Sequence, residues 1–405
     1  ITHTPFWLVG VGDPKTVVPK AKKIQQILEM PIGLHWYRWN PFGFDENYPK
    51  FFPPHDGFAA AVAEMQANNI SVMPYMIAHL WDQKLDSYDS SVIPHTMKTK
   101  EGEVATSGSS QVTFAVMDPT TEFWQEKVKS ISDQLFSYGV RGIYVDTVAA
   151  RFPTYCYDSA HNHIPGAGNY WVGGYQQMLQ KMRAGRAHGS QFFTSEMNAE
   201  PYMNLFEGYL NWWWVFPNQQ PIYQAIYGGQ YISFGRRHLL DDGWAVLTKT
   251  AQQIVFGEQI GWFWGDPSVD FKEEFKFVKK AAQTWLKNRR YFTGGRAQRP
   301  LEPTAPLASI SAIWYFQSDQ PNTVELPAVL NGVWLHADGS LAVILANPTD
   351  MPQSASYHLP ATYRCPSAKG NALSVNIESR TVKVIECRVI AARDRGAKPS
   401  QHAAS

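Results

Sequence analysis

Two strand-like runs in this chain each end in a carboxylic acid, and together they are its strongest chemical signal. The runs are Gly142-Ile-Tyr-Val-Asp146 and Phe192-Phe-Thr-Ser-Glu196, with a helix-length segment between them. An acid at the end of a buried strand is costly unless it has a role. Two acids on neighbouring parallel strands are the arrangement that cleavage of a glycosidic bond requires, which is our leading hypothesis.

In the catalytic interpretation, Asp146 is a nucleophile kept ionised by polar neighbours. Glu196 is the acid/base, its pKa raised by that neighbouring charge and by partial burial. Carboxyls roughly 5 to 5.5 Å apart would fit a retaining mechanism. Alternatively, either acid caps a following helix or pairs with Arg151. Glu200 competes with Glu196, but Pro201 indicates that the chain has already entered a loop there, so strand-end geometry favours Glu196.

Alternating apolar runs and amphipathic segments predict an α/β fold, a (β/α)8 TIM barrel over residues 1–298. The eight strand candidates are Gly33 to Trp39, Ile70 to Met76, Thr113 to Met117, Gly142 to Val145, Gln191 to Ser195, Tyr209 to Trp214, Tyr231 to Phe234 and Gly261 to Trp264. Helices are predicted at Val17 to Met30, Gly57 to Asn68, Thr121 to Phe136, Gly173 to Ala187, Trp244 to Phe256 and Phe271 to Leu286. By this count Asp146 and Glu196 finish strands four and five, at the barrel end where active sites lie.

The pattern changes after a proline-rich connector at residues 299–307, which cannot continue a helix. Short alternating runs then predict a small C-terminal antiparallel β-sandwich over residues 308–390. Its strand candidates are Ala328 to Leu335, Leu341 to Asn347, Ser354 to Leu359, Leu373 to Ile377 and Thr381 to Val389. Residues 391–405 are polar and Ala-rich, and we predict a disordered tail.

Aromatic and polar side chains near the predicted strand ends could line a sugar site. Trp212-Trp-Trp214 would send neighbouring rings to opposite faces, whereas Trp262 and Trp264 would share one face. Asp118 could hold a sugar hydroxyl or position the nucleophile, or it could cap the helix that follows. Glu258 and Asp266 are alternatives for a third acid late in the barrel. Half of the residues at the ends of the first two predicted strands, such as His35, Trp36 and His79, would equally suit a hydrophobic core. The predicted substrate contacts are His35, Trp36, Trp39, His79, Asp118, Tyr144, His161, His163, Glu200, Trp212, Trp214, Glu258, Trp262, Trp264 and Asp266.

A metal site is a weaker interpretation. Asp158, His161 and His163 lie close together and could supply oxygen and nitrogen ligands, but their spacing matches no strong zinc motif. We therefore expect sugar contacts or surface residues there, and predict no metal and no cofactor. Ser-His-Asp hydrolysis is disfavoured because no Gly-x-Ser-x-Gly elbow follows a strand.

The composition of the chain argues against some classes of binding partner. The chain has 36 basic and 35 acidic residues with no basic stripe, which argues against nucleic acid. Its 15 Trp suit the stacking of sugar rings. No run reaches the roughly 18 apolar residues of a membrane span. Cys365 and Cys387 could pair, which leaves one free thiol. The chain opens at Ile1 without a signal peptide, so we expect processing or omission upstream; compartment and oligomeric state stay open.

Several motifs resemble a bacterial family of glycosidases catalogued as a domain of unknown function, DUF6259. They are Leu34-His-Trp-Tyr-Arg-Trp39, Val72-Met-Pro-Tyr75, Gly142-Ile-Tyr-Val-Asp146, Thr194-Ser-Glu-Met-Asn-Ala-Glu-Pro201 and Phe256-Gly-Glu-Gln-Ile-Gly-Trp262. The layout is distantly similar to endo-α-N-acetylgalactosaminidases and the α-amylase clan. That resemblance implies a nucleophilic Asp146, an acid/base Glu196 and an α-linked substrate. The family usually carries an additional N-terminal β-rich domain, so this chain resembles a fragment or a minimal member.

We therefore predict a retaining glycoside hydrolase that acts on an α-linked oligosaccharide or glycoconjugate through a covalent glycosyl-Asp intermediate. Two alternatives stay open at this point: a non-catalytic carbohydrate-binding barrel, and a transglycosylase of the same architecture.

Overall fold

A computed structural model of the 405-residue chain describes residues 1–108, 112–187, 189–212, 216, 219–315 and 319–390. Its strands are β1 (Phe6–Val11), β2 (Ile32–Tyr37), β3 (Ile70–Ile77), β4 (Leu80–Asp82), β5 (Thr106–Gly108), β6 (Thr113–Val116), β7 (Gly142–Asp146), β8 (Phe192–Glu196), β9 (Gly208–Leu210), β10 (Ile232–Phe234), β11 (Ile260–Phe263), β12 (Gly295–Gln298), β13 (Ser309–Tyr315), β14 (Pro321–Pro327), β15 (Leu330–His336), β16 (Ser340–Asn347), β17 (Gln353–His358), β18 (Tyr363–Arg364), β19 (Ala368–Lys369), β20 (Ala372–Ile377) and β21 (Thr381–Val389). Its α-helices are α1 (Pro14–Leu28), α2 (Phe58–Ala67), α3 (Glu122–Ser137), α4 (Tyr170–Ala184), α5 (Ile222–Tyr227), α6 (Gly243–Val255), α7 (Pro267–Asp270), α8 (Glu274–Lys287) and α9 (Arg289–Gly294), with single 3₁₀ turns at Ile93–His95 and Glu200–Tyr202.

Eight parallel strands form the barrel, in the order β10-β9-β8-β7-β3-β2-β1-β11. A parallel bridge between Phe234 and Gln259 joins the two ends of that order. The strands are buried on both faces, as expected when helices cover a parallel sheet. The predicted TIM barrel is confirmed.

The predicted helices are all present, with ends shifted by a few residues. In α1, the residues at helical spacing from Val17 through Ile24 to Leu28 are buried, while Lys15 and Lys23 are exposed. Among the described residues between β9 and β10, the one α-helix is the short α5.

One predicted barrel strand is wrong and another was missed. The segment Thr113–Val116 is β6, which pairs antiparallel with β4 and β5 in a separate three-stranded sheet. This sheet belongs to an excursion at residues 78–121, between β3 and α3. The first barrel strand is instead β1, which pairs with β2 and β11. The two errors cancel, so Asp146 and Glu196 do finish barrel strands four and five.

The C-terminal strands are antiparallel, as predicted. A five-stranded sheet, β12-β15-β16-β21-β18, packs against the three-stranded β17-β20-β19 through apolar side chains such as Val343, Tyr357 and Leu373. The hairpin β13-β14 packs instead on α6, where the Trp314 indole donates to Thr248 at 2.9 Å. Cys365 and Cys387 form a disulfide within these sheets.

The C-terminal sheets include a strand that precedes the proline-rich connector. Strand β12, at residues 295–298, lies within the segment assigned to the barrel but pairs with β15. The connector itself is docked, since Leu301 exchanges hydrogen bonds with the Asn331 side chain. The predicted tail, residues 391–405, lies outside the described residues. Among the helices that the structure describes, none is long and apolar enough to cross a membrane.

Candidate active site

Asp146 and Glu196 are the last residues of two adjacent barrel strands. The register pairs Val145 with Ser195, so the two acids come next on their strands at the same level of the barrel. Neighbouring strands lie about 4.8 Å apart. Both acids are partly buried. The fold therefore holds two carboxyl groups side by side at the carboxyl end of the barrel.

Tyrosine hydroxyls surround the Asp146 carboxylate. The Tyr75 hydroxyl donates to its Oδ2 at 3.2 Å, and the Tyr144 hydroxyl also bonds to this carboxylate and lowers its pKa. Tyr48 in turn donates to the Tyr75 hydroxyl at 3.2 Å. Strand pairing explains this arrangement, because Tyr75 on β3 lies level with Tyr144 on β7.

The Glu196 carboxylate has a different partner. The Trp212 indole N–H donates to its Oε1 at 2.8 Å. Burial is the largest cause raising the pKa of Glu196, and the Trp212 hydrogen bond opposes it. For Asp146, burial and then the charge of Glu196 raise the pKa well above its ordinary value. Since each negative charge disfavours the other, the two acids do not lose their protons independently.

Left-handed backbone conformations cluster at this end of the barrel. Thr147 follows Asp146 with φ of 63°, and Met197 follows Glu196 with φ of 56°. Arg38, directly after β2, has φ of 48°, and Trp262 in β11 has φ of 82°. Such conformations cost of order 1–3 kcal/mol each in residues other than glycine and concentrate at functional sites.

Trp262 occupies a β-bulge. The pairing of β1 with β11 passes from Trp7–Gly261 to Leu8–Phe263, so Trp262 is left unpaired. Its indole donates to His35 Nδ1 at 3.0 Å, in the barrel interior. The bulge thus turns a large side chain towards the centre of the barrel.

Aromatic rings form a continuous wall that reaches both acids. Trp212, which bonds to Glu196, lies 6.1 Å from Trp262 between ring centroids, and Trp262 lies 5.4 Å from Trp264. Trp264 stacks on Tyr37 at 5.3 Å, and Tyr37 stacks on Tyr75 at 4.9 Å. Trp264 is 39% exposed, so this end of the wall is accessible to a ligand.

His35 also belongs to this wall. Its ring lies 4.2 Å from that of Tyr144, which precedes Asp146. Burial lowers the pKa of His35 well below its ordinary value, so the ring is neutral. Its Nδ1 accepts from Trp262, so the proton of the neutral ring is on Nε2.

The structure does not bring Trp36 and Trp39 to the acids. The Trp36 indole donates to the Gly12 carbonyl and its ring packs on Phe58 of α2, between the strands and the helices. Trp39 is 1% exposed and packs on Phe51 and Phe58. Both rings are part of the core.

Three predicted acids have structural partners elsewhere. Glu258 precedes β11, is completely buried, and binds Arg236 through both oxygens at 2.6 and 2.9 Å. Asp266 caps α7 and pairs with Lys23 at 2.8 Å. Glu200 is exposed in a 3₁₀ turn and accepts from the Tyr227 hydroxyl at 2.5 Å. Trp214 lies outside the described residues.

His79, Asp118, His161 and His163 lie in the loops after β3 and β7. His79 is buried and lies 2.8 Å from the hydroxyl of Thr147, the residue after Asp146. The Asp118 carboxylate holds Thr120 through one oxygen and contacts His161 and His163 through the other, rather than capping α3. These residues support the loops beside the acids.

Two ring residues at the site, Tyr37 and Tyr75, were not among the predicted contacts. Tyr75 ends the motif Val72-Met-Pro-Tyr75, close to the carboxyl end of β3, and Tyr37 is the last residue of β2. The signal for both was their position at a strand end. It was obscured because the predicted strands extended past both residues, to Trp39 and Met76.

Comparison of the whole fold with solved structures identifies an α-amylase-like barrel. A maltogenic α-amylase, AmyB, from Thermotoga neapolitana superposes with a TM-score of 0.58 and 12% identity, covering 96% of this chain and 100% of that one. An α-amylase from Geobacillus thermoleovorans gives 0.59 and 10%, covering 96% and 98%. The GH36 α-galactosidase AgaA from Geobacillus stearothermophilus gives 0.60 and 12%, covering 96% and 56%.

Residues 1–238 match the family described as "Domain of unknown function (DUF6259)", and the chain belongs to that family. A Monosiga brevicollis protein named "Putative glycoside hydrolase 22789" is 28% identical over 90% of this chain and 35% of its own length. A Bacteroides thetaiotaomicron protein named "Putative glycoside hydrolase" is 27% identical over 86% of this chain and 52% of its own length. The chain thus spans between about a third and a half of these relatives. The predicted family is confirmed, and so is the likeness to the α-amylase clan at the level of fold.

Proposed function

We propose that this chain is a retaining glycoside hydrolase that acts on an α-linked carbohydrate. The observation that carries the proposal is the placement of two coupled, partly buried carboxyl groups at the same level on barrel strands four and five. Adjacent strand ends favour the short carboxyl separation of retaining enzymes over the wider gap of inverting ones. The names of the two relatives support glycosidase activity, and the α-amylases and α-galactosidase of like fold support an α-linked substrate.

The contacts of each acid suggest its role. Asp146 accepts hydrogen bonds from tyrosine hydroxyls, which stabilise a carboxylate and suit a nucleophile. Glu196 accepts from a single indole N–H. The proposed roles require Glu196 to hold the proton that the pair shares, against the burial and the neighbouring charge that raise the pKa of Asp146 as well. The pair thereby begins the reaction with one ionised and one protonated acid, as double displacement requires.

In the first step, an Asp146 oxygen attacks the anomeric carbon and the bond from that carbon to the leaving oxygen breaks. Glu196 gives its proton to the leaving oxygen. In the second step, Glu196 takes a proton from water as the water oxygen attacks the same carbon, and the bond to Asp146 breaks. The released sugar keeps its original anomeric configuration, and both acids return to their starting states.

The aromatic wall supplies the rest of a sugar site. The faces of Trp264 and Tyr37 offer stacking surfaces at the accessible end, and Trp212 and Trp262 lie nearer the acids. Rings of this kind contribute large apolar contact area with a polar edge. We assign the sugar on the non-reducing side of the scissile bond to the space between this wall and the acid pair.

The test is covalent labelling with a panel of cyclophellitol-type epoxides and aziridines of differing sugar configuration. We expect one probe to add its mass once per chain, with the adduct mapped to the peptide that contains Asp146. Asp146→Asn should not be labelled, and Glu200→Gln, an exposed acid nearby, is the matched control that should be labelled as the wild type is. An adduct on another residue would overturn the assignment of the nucleophile.

A second measurement tests the acid/base. Glu196→Ala should lose about 10²–10⁴-fold in kcat on substrates with poor leaving groups. Azide or an activated aryl leaving group should restore part of that rate, because they replace the missing base or remove the need for the acid. Azide rescue should yield a glycosyl azide of retained configuration. Wild-type rates in this variant, or an azide product of inverted configuration, would contradict the retaining mechanism.

A further inference from the structure

Four metal-ligating side chains converge beside the acid pair but outside it. Asp118, Cys156, His161 and His163 each offer one ligand atom, and these atoms all lie within 4.8 Å of one another. His161 Nδ1 lies 2.8 Å from Asp118 Oδ2 and 3.4 Å from Cys156 Sγ. His163 Nε2 lies 3.0 Å from the same Asp118 oxygen. Tetrahedral zinc sites place their ligand atoms about 3.2–3.8 Å apart, given bonds of 2.0–2.3 Å.

The cluster is deeply buried. The side chains of Asp118, His161 and His163 are 0, 3 and 4% exposed, and Cys156 is 0% exposed. Buried polar groups of this kind need complementary partners, because water does not solvate them. Their partners therefore have to come from other protein groups or from a bound ion.

The outer atoms of both imidazoles face carbonyl oxygens. His161 Nε2 lies 2.8 Å from the Pro94 carbonyl, and His163 Nδ1 lies 3.1 Å from the Ile164 carbonyl. A carbonyl oxygen only accepts, so these outer nitrogens carry the ring protons. When neither ring carries a second proton, both inner nitrogens direct lone pairs at one carboxylate oxygen. A cation between them removes that repulsion.

The surroundings also resemble the outer shell of a metal site. Ligating histidines almost always donate their other N–H to a carbonyl or carboxylate. Asp118 is fixed by Thr120, which donates to its other oxygen through the backbone N–H and the hydroxyl. Tyr170 stacks on the ring of His163 and accepts from the backbone N–H of Cys156. Asp158 lies on the outer side, with its carboxylate 3.8 Å from His161 Nε2.

We propose that Asp118, Cys156, His161 and His163 form a tetrahedral Zn²⁺ site. One thiolate, two imidazoles and one carboxylate form a donor set that suits zinc and is too soft for Ca²⁺ or Mg²⁺. All four positions come from the protein, so the site is structural rather than catalytic. The sequence interpretation included neither Asp118, which lies on a different loop from the two histidines, nor Cys156, five residues before His161.

The site joins two loops that flank the acid pair. Asp118 ends the excursion at residues 78–121, while the other three ligands belong to the β7–α4 loop, which begins directly after Asp146. A zinc ion would therefore fix the loop that leaves the nucleophile against the excursion that follows β3. This proposal does not depend on the reaction proposed above.

The experiment uses the purified full chain, stripped with a chelator and then titrated with Zn²⁺ against a chromophoric competitor. We expect one zinc per chain, measured by elemental analysis, and a higher Tm when zinc is present. Co²⁺ in place of zinc should give the intense visible bands of tetrahedral cobalt together with a thiolate-to-cobalt charge-transfer band in the near ultraviolet. The charge-transfer band reports Cys156 in the wild-type protein, so it does not depend on a variant that folds.

Cys156→Ser and His161→Asn should each weaken zinc binding at least tenfold and abolish the rise in Tm. His358→Ala, which removes an exposed histidine far from the cluster, is the matched control and should bind zinc as the wild type does. A folded wild-type chain that binds neither Zn²⁺ nor Co²⁺ would overturn the proposal. Zinc binding that survives both substitutions would overturn it equally.

Discussion

The barrel holds two kinds of buried carboxylate, which differ in what compensates their charge. Glu258 is fully buried and faces Arg236, which binds it through two N–H donors. The Asp241 side chain is likewise buried and accepts from Lys249 at 2.6 Å. Each of these acids has a cation in direct contact, which compensates its charge. Removing either partner would leave an uncompensated buried charge, so these acids belong to the structure of the barrel.

Asp146 and Glu196 lack that compensation. Within the described part of the chain, no lysine or arginine forms an ion pair with either, and their neighbours are neutral tyrosine and tryptophan donors. The comparison distinguishes acids that have a structural partner from the pair that we propose to react. A carboxylate beside a buried cation has its charge compensated, whereas two neighbouring carboxylates without a cation disfavour each other's ionised form.

Removing the proposed nucleophile should have the largest effect. Asp146→Asn keeps the shape of the side chain but cannot form the glycosyl ester, so we expect kcat to fall by roughly 10⁴-fold or more. The fold should persist, because the substitution removes repulsion between two buried acids. Steady-state kinetics on the substrate identified by labelling, together with thermal unfolding, would measure both effects. Wild-type turnover would show that Asp146 belongs with the structural acids.

The opposite result is expected at Glu258. Glu258→Gln leaves Arg236 buried without its counter-charge, which should lower the free energy of unfolding by about 3–5 kcal/mol. Turnover by the molecules that stay folded should change little. Denaturant unfolding measures the loss, and Glu64→Gln, at the exposed Lys22–Glu64 pair, is the control that should cost about 0–1 kcal/mol. Equal losses of unfolding free energy in Glu258→Gln and Glu64→Gln would contradict a structural role for the buried Glu258–Arg236 pair.

The acid pair should also make stability depend on pH in a particular direction. Both folded pKa values lie above the ordinary carboxyl range, so the protonated forms favour the folded state. Their stabilising contribution is complete below about pH 4, the range of the unfolded carboxyls, and is lost as the pH rises through the raised folded values. An Asp146→Asn, Glu196→Gln double variant should lack this loss. Urea unfolding from acidic to neutral pH would measure the difference, and parallel curves for the two proteins would rule it out.

The smallest effect is expected at Tyr75. Tyr75→Phe removes one hydrogen bond to the Asp146 carboxylate, worth about 1.5–3 kcal/mol for a charged acceptor. The pKa of Asp146 should rise further, and the acidic limb of the kcat/KM profile should move upward by about one pH unit. Tyr37→Phe is the matched control, since the Tyr37 ring stacks on Tyr75 but forms no hydrogen bond to Asp146 among the described residues. If the pH profile of kcat/KM in Tyr75→Phe is unshifted, the Tyr75 hydroxyl does not influence the pKa of Asp146.

The acids themselves were predictable from the sequence because strand alternation and strand ends are local features. Gly142 to Asp146 and Phe192 to Glu196 each contain the apolar run and the terminal acid that identify them. Strand β1 was missed because no helix precedes it, and Thr113–Val116 was misassigned because its alternation fits an antiparallel sheet as well as a barrel. The local patterns therefore placed both acids on the correct barrel strands, although one of the strands counted before them was wrong and another was missed.

Contacts between distant segments were much harder to predict. Trp36 and Trp39 lie on the expected strand end, yet only the packing of α2 decides that their rings enter the core. Tyr75 gains its place from pairing with β7, and Cys156 meets Asp118 only when two loops fold together. Such relations depend on tertiary register, which one sequence does not display.

The left-handed residues directly after each acid bear on how this protein could be engineered. Glycine would adopt the backbone of Thr147 or Met197 without strain, so Thr147→Gly and Met197→Gly are natural candidates in a search for thermal tolerance. Yet the Thr147 hydroxyl also contacts His79, and the tight turn fixes where the preceding carboxyl points. Glycine variants at these two positions should therefore gain thermal stability and lose catalytic rate. Stability and turnover would then be in conflict at the two residues that directly follow the acids.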